Sequence, residues 1–399
     1  VYRAVKSQAW TGSANVHVSL VWAGHSGERE QAYLGKEPVP GITPSLDPES
    51  QVTGKPQRLV ANAERSFIGS YVLGEGFVLE PERARGLIQK NPKNREVLFP
   101  YLIGKDLNSR PDCSPSRWVI NFGTMSEEEA REYPEPFEIV ERDVKPVRAR
   151  NSNRQRREIW WQFTRPTPEL YGAISGLERV LVIARVSKTA QPVLVDAGMV
   201  MSEQVVVFAR SSLDYLASLS STHHYVWAVN RSSSMKGDLR YTPSECFETF
   251  PMPAKTEAVV AAGESLDQER REIMLRRGLG LTKLYNLVHD PDLKGDADID
   301  RLREIHVEID EAVKEAYDWG DLELQHGHYE TDQGVRWTVS PGARVKVLDR
   351  LLQLNFDRHE EEKRKGIWPP KKKTRKKKPK ASGTPTIQDG LFQPEGTLF

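Results

Sequence analysis

The chain has 399 residues, 38% of them hydrophobic and 28% charged, which describes a soluble globular protein with room for two or three separate cores. No apolar run reaches the ~18–20 residues of a membrane span, and the N-terminus lacks the charged start and apolar core of a signal peptide. Cys113 and Cys246 have no metal-type spacing, so a reducing cytoplasm is expected. The net charge of +1 hides a segregation that matters for partners. Residues 361–399 hold 11 basic and 4 acidic side chains, 256–360 hold 14 and 23, and 61–255 hold 26 and 24. Nucleic-acid contacts are therefore expected on the middle segment or the tail, and not on the acidic stretch between them.

Residues 1–60 read as strands. Ala14–Trp22 alternates small or apolar with polar residues, and Pro38–Pro56 is a Pro/Gly/Ser-rich connection. The opening VYRAVKSQAW reads as mid-strand, as in a fragment. Between 61 and 255 the pattern predicts strands at Phe77–Leu79, Trp118–Asn121, Val180–Val186, Val193–Val195 and Val205–Ala209. Helices are expected at Ser126–Glu132, Phe137–Arg150 and Asp214–Leu219, with no repeat and no strict βαβ alternation.

After Pro253 the pattern turns helical. The first helix should run from Glu257 to Val288, with a kink or cap at Gly278–Gly280. The second, Asp298–Asp318, aligns Ile299, Leu302, Ile305, Ile309, Val313 and Ala316 at 3.6 spacing. The third opens on Ser340–Pro341, an N-cap with proline at N1, and points Val345, Leu348, Leu351, Leu352 and Phe356 inward. Trp319 and Trp337 are expected to close this bundle, and the Pro/Lys-rich tail from Gly366 to be disordered by composition.

No catalytic constellation emerges. No Gly-rich loop follows a strand to cradle a cofactor, and there is no Asn/Asp-Pro-Pro-aromatic motif to hold a flipped adenine amine. The Asp-x-Lys pairs at Asp143–Lys145 and Asp292–Lys294 lack the strands that would present carboxylates to a metal. His326 and His328 have no nearby cysteine or third ligand and read as a loop between helices, so no metal site is expected.

Signals for DNA binding are stronger. Arg142–Arg157 contains Arg142, Lys145, Arg148, Arg150, Arg154, Arg156 and Arg157 against the single acid Asp143, and runs into Trp160–Trp161. Clustered arginines supply sequence-independent affinity for phosphates. The two tryptophans fit a core better than a stacking platform. In Arg231–Pro253, Lys236, Asp238 and Arg240 are two residues apart, so an extended chain points all three to one side. Lysine can donate to guanine O6/N7, aspartate can accept from cytosine N4, and arginine can take a second guanine or a phosphate. A solvated hairpin edge carries the same pattern.

Several segments together resemble one family. Pro100–Asn108 (PYLIGKDLN) looks like the Leu-x-Gly-x-Asp turn of target-recognition domains in DNA methyltransferases. Ser116–Phe122, Arg157–Phe163, Ala184–Lys188, Leu239–Pro253, Gly280–Asp290 and Leu302–Asp310 continue the pattern. The order is similar to the C-terminal half of MmeI-like type IIL restriction–modification enzymes. In those enzymes one polypeptide joins a nuclease, an adenine-N6 methyltransferase, a target-recognition domain and a helical domain, in the service of phage defence.

The resemblance implies an α+β fold. Residues 1–60 would be the last methyltransferase strands, 61–255 the recognition domain, 256–365 the helical domain and 366–399 a disordered basic tail. It implies base reading by Lys236 and Asp238 on one G·C pair, with Arg240 nearby, and a second reading position at Glu203–Gln204, where Gln204 suits adenine. Phosphate contacts are expected from Arg148, Arg150, Arg154, Arg156, Arg157, Arg185 and Lys188. The catalytic motifs are absent from this chain, so S-adenosylmethionine, and magnesium for cleavage, are implied for the parent enzyme and not for these residues.

The partners expected are double-stranded DNA and methyltransferase or nuclease domains, in cis or in trans, in the bacterial cytoplasm at the nucleoid. The alternative is a non-catalytic specificity subunit serving a separate methyltransferase, and a single-strand or RNA binder ranks behind both. In the tail, Lys371–Lys380 suits nonspecific DNA retention or plain solvation. Gln388–Phe392 resembles the peptide that docks on the sliding clamp, with Gln388, Leu391 and Phe392 as its anchors.

Overall fold

The structure, a computed structural model, describes residues 1–10, 17–24, 32–39, 41–42, 46, 52–235, 238–331 and 333–368. It is α+β, as expected, with several small sheets flanked by helices. The first strands, His17–Trp22, Arg3–Ala9, Ala32–Leu34 and Glu37–Val39, form one sheet in that spatial order. Among the described residues no helix is long and apolar enough to cross a membrane.

Most buried apolar side chains between Val72 and Phe163, with Val200, build one core. Its sheet runs in the order Val200–Met201, Leu98–Leu102, Arg117–Ile120, Val78–Leu79. The expected long helix Phe137–Arg150 is two, Pro134–Asp143 and Lys145–Ala149, because Pro146 cannot donate the hydrogen bond that would continue the first. Trp160 and Trp161 pack edge to face at 5.9 Å inside this core, Trp160 also against Phe137 at 5.3 Å.

The second core surrounds a four-stranded antiparallel sheet in the order Val193–Asp196, Arg179–Ala184, Val205–Phe208, Ser66–Ile68. Val180–Ala184 and Val205–Phe208 are buried at every position. Their unbroken apolar runs therefore mark strands covered on both faces.

Helices Leu213–Ser220 and Glu257–Arg277 pack together, and Gly263 permits it: a Cβ there would lie 2.1 Å from the Leu213 carbonyl oxygen. The composition change after Pro253 is thus not a break in the core. Val205, Leu266, Ile305 and Leu351 belong to one continuous apolar cluster.

The helical part follows the sequence closely. Gly278 adopts φ +62° as a C-cap, and separates Glu257–Arg277 from Leu281–Val288. Ile299, Leu302, Ile305, Ile309 and Val313 of helix Ala297–Ala316 are fully buried. Ser340 caps helix Pro341–Arg364 by accepting from the Ala343 N–H.

Two expectations need correction. Val347 faces the core where Val345 was expected, because the buried stripe runs 343, 347, 351, 355, 359, 362. The loop expected around His326 and His328 is a hairpin, Gly327–Thr331 with Gly334–Thr338, which places His328 opposite Trp337. Asn355 and Glu362 of that stripe are polar for a reason. They bind the backbone of the crossing segment at Gln57, Val60 and Ala61 and tie it to the helix.

Candidate nucleic-acid interface

Glu203 and Gln204 form the turn between Val200–Met201 and Val205–Phe208. The turn closes through Val205 N–H to Ser202 O (2.9 Å) and Gln204 N–H to Ser202 Oγ (3.2 Å). Glu203 is half-buried and Gln204 exposed.

Two glycines let the neighbouring backbone close on this turn. A Cβ on Gly69 would lie 2.1 Å from the Ser202 carbonyl oxygen, and one on Gly104 would lie 3.2 Å from Gln204 Cβ. This gives the Leu102–Asp106 turn a physical meaning. Leu102 accepts from Ser202 N–H, Gly104 admits Gln204, and buried Asp106 accepts from the N–H groups of Ile103 and Ser116.

The second segment is the hairpin Ser233–Met235 with Asp238–Arg240; Lys236 and Gly237 lie outside the described residues. Leu239 is buried, whereas Asp238 and Arg240 are half-buried on the opposite face. The period of two read from the sequence therefore operates at 238–240. The anchor continues at Tyr241, fully buried, whose hydroxyl bonds His224 Nε2 at 2.9 Å. Burial pushes the His224 pKa down to about 4. The ring is neutral at pH 7, and its Nδ1 donates to Leu219 O, which leaves Nε2 to accept from Tyr241.

Arg185 joins the two segments. Here the chain leaves strand Arg179–Ala184 and enters Val186–Ser187, which pairs with Leu239 and Arg240. The Arg185 N–H donates to Gln204 O and its C=O accepts from Tyr241 N–H, both at 2.8 Å. Its Nη1 reaches Tyr71 Oη at 3.1 Å and Glu203 O at 3.4 Å. Arg185, Glu203, Gln204, Asp238 and Arg240 thus gather at one end of the second core, and exposed Lys188 follows Ser187 there.

The arginine-rich stretch is less uniform than its sequence. Arg148 is only 4% exposed, and its guanidinium donates to the carbonyls of Val72, Leu73, Trp160 and Gln162. The expected phosphate contact is therefore corrected: this cation closes the loops over its own core. Arg156 is half-buried, its Nε enclosed without a partner. Arg150, Arg154 and Arg157 are exposed, with Arg154 paired to Glu158 at 2.7 Å and Arg157 bonded to Asn151 and Ser152 carbonyls. These residues lie on helices Lys145–Ala149 and Arg154–Glu158 and the turns beside them.

Sequence reasoning missed Gly69 and Tyr71, because their contacts with Ser202 and Arg185 join residues more than a hundred positions apart. Gly104 had a signal, the turn motif itself. His326 bonds Asp310 while His328 packs on Trp337 at 5.1 Å. Among the described residues no group of three His, Cys, Asp or Glu side chains could hold a metal ion.

Residues 49–254 match the family model of the MmeI target recognition domain. The chain belongs to that family. No curated protein matches. Among solved structures the chain resembles the type IIL restriction–modification enzyme MmeI in complex with DNA, with a TM-score of 0.61 and 17% identity. The likeness covers 90% of this chain and 46% of that one, so the chain spans about half of that enzyme's length. The fold shared with MmeI thus extends well beyond the recognition domain proper.

Proposed function

We propose that this chain is the sequence-reading part of a restriction–modification enzyme. It would hold duplex DNA for adenine-N6 methylation by domains in cis or in trans, which would carry S-adenosylmethionine and, for cleavage, magnesium. The observation that carries this reading is the convergence at Arg185. One residue fixes both the Glu203–Gln204 turn and the strand bearing Asp238 and Arg240. Asp238 can accept from cytosine N4 with Lys236 on the paired guanine, Gln204 can take adenine N6/N7, and Arg240 serves a base or a phosphate. Arg150, Arg154, Arg157 and Lys188 are exposed cations suited to the backbone. Such a protein would reside with the cell's DNA. The basic tail and its Gln388–Phe392 peptide lie outside the described residues and carry no part of this reading.

Exchanging the charges, Lys236→Glu with Asp238→Arg, in the complete enzyme should change one base of the methylated sequence and leave the others. A good base contact contributes ~1–3 kcal/mol of discrimination, so the switch should be visible in a methylome. An unchanged methylated sequence would remove these residues from the reading surface.

Neutralising Arg150, Arg154 and Arg157 together should weaken binding to all duplexes alike. The salt dependence should flatten by roughly 0.9 in log–log slope for each phosphate that is no longer neutralised. A weakening confined to the preferred sequence would assign these arginines to bases instead.

A further inference from the structure

We propose that Tyr71 and Arg185 are positioning residues for Gln204, which set base discrimination at the position Gln204 reads without touching the DNA base. The inference rests on the DNA reading above and deepens it.

The Glu203–Gln204 turn would be a poor reader if it moved, because an exposed glutamine pays rotamer and backbone entropy on binding. Its backbone is held from three sides. Gly69 lets the neighbouring chain close on Ser202, Gly104 does the same at Gln204, and Arg185 binds the carbonyls of both Glu203 and Gln204.

Two of the three Arg185 guanidinium nitrogens are out of reach of a ligand. Nη1 serves Tyr71 Oη and Glu203 O, and Nε is enclosed without any partner. A bidentate grip on guanine needs two neighbouring nitrogens free, and a phosphate contact needs no such immobilisation.

Tyr71 is itself fixed. Its N–H donates to Arg165 O at 3.0 Å and its C=O accepts from Arg165 N–H at 3.2 Å. A continuous line of contacts runs from 165 through 71 and 185 to the reading turn. The same Arg185 backbone receives Tyr241 N–H, so the turn is held in register with the strand that carries Asp238 and Arg240.

The test is a double-mutant cycle in the 399-residue chain with Tyr71→Phe and Gln204→Ala. Binding is measured to the preferred duplex, to each of its single-base variants and to an unrelated duplex, at several salt concentrations. Tyr71→Phe keeps the ring and should lower the melting temperature by only about 2–4 °C while leaving the unrelated-duplex affinity unchanged. It should lower affinity for the preferred duplex about tenfold, with discrimination lost at the one position that Gln204→Ala also erases. On the Gln204→Ala background it should have no further effect.

Additive losses in the double variant would overturn the proposal. So would a uniform loss with a flatter salt slope in Arg185→Gln, which marks a phosphate contact, or a new base preference in Arg185→Lys, which marks a direct reader. Sequence preference that survives Tyr71→Phe intact would overturn it while the DNA reading stands. A wild-type chain without any preference would overturn the DNA reading itself.

Discussion

Replacing Arg148 by methionine should lower the stability of this protein by roughly 3–5 kcal/mol, a large share of the ~5–15 kcal/mol typical of a domain. The methionine keeps an apolar stem but provides no donors. Four carbonyls, of Val72, Leu73, Trp160 and Gln162, then lose the group that satisfies them. The guanidinium also lies over the Phe77 ring, 5.0 Å from its centroid, and that attraction goes as well. Burial pushes the Arg148 pKa down to about 10, so the group stays cationic at neutral pH and its hydrogen bonds keep their charge assistance. Lysine at this position retains the charge but cannot span four acceptors, and should recover less than half of the loss. Urea unfolding measures both. The salt slope of DNA binding by the folded variant should match the wild type; a slope reduced by about one, with stability unchanged, would return Arg148 to the DNA surface.

That prediction shows where the sequence was and was not legible. Seven cations in a short run look like one electropositive face until the helical spacing is examined. Phe137, Val140 and Val144 are buried, and Arg148 continues their i, i+4 line, so the wheel directs it inward while Arg150 points out. Charge density was visible, and the direction of each charge followed from a periodicity that composition obscured. At 238–240 the periodicity was the argument from the start: a buried leucine between two half-buried charged residues is what a strand on a core produces.

Tertiary contacts were the illegible part. Nothing local in the sequence around Tyr71 indicates that its hydroxyl meets Arg185, 114 positions away. The hairpin 327–338 escaped for a different reason. It is short and flanked by helices, and its two histidines invite a metal reading, whereas the alternation of Val335, Trp337 and Val339 with polar residues is the better signal. The change to helices after Pro253 was real as secondary structure. It did not divide the apolar core, because the sheet strands are covered on both faces and need Glu257–Arg277 and its neighbours to complete them.

The second large effect is expected at Asp310, where the helical part meets the recognition part. Its carboxylate is 1% exposed. It accepts from Thr222 N–H and Thr222 Oγ1, both at 2.6 Å, and from His326 Nε2 at 2.9 Å. Thr222 opens helix Thr222–Arg231, so Asp310 also places a negative charge at that helix's positive end. Asp310→Ala removes the acceptor of three buried donors and should cost about 3–5 kcal/mol, with Asp310→Asn losing less because one carbonyl oxygen remains.

The pH dependence separates Asp310 from its neighbours. Burial alone would raise the Asp310 pKa, but the hydrogen bond from His326 and the nearby charge of His326 and His223 outweigh it and hold the carboxylate well below its usual range. A carboxylate depressed in the folded state contributes stability above its unfolded value near 3.8, and that contribution is lost only as pH falls further. His224 and His306 titrate earlier. Burial holds both down to about 4 against 6.5 when unfolded, so between those values the unfolded chain binds more protons and stability falls with pH. Unfolding free energy should therefore be flat above about pH 7 and decline from 6.5 towards 4; His289, which burial holds down to about 2, adds a third site, so about three protons are taken up on unfolding near pH 5. Over that window Asp310 does not change its protonation, so the deficit of Asp310→Asn should not shrink. A deficit that shrinks by pH 5 would mean the wild-type carboxylate is already taking up a proton, and the hydrogen-bond network assigned to it would be wrong.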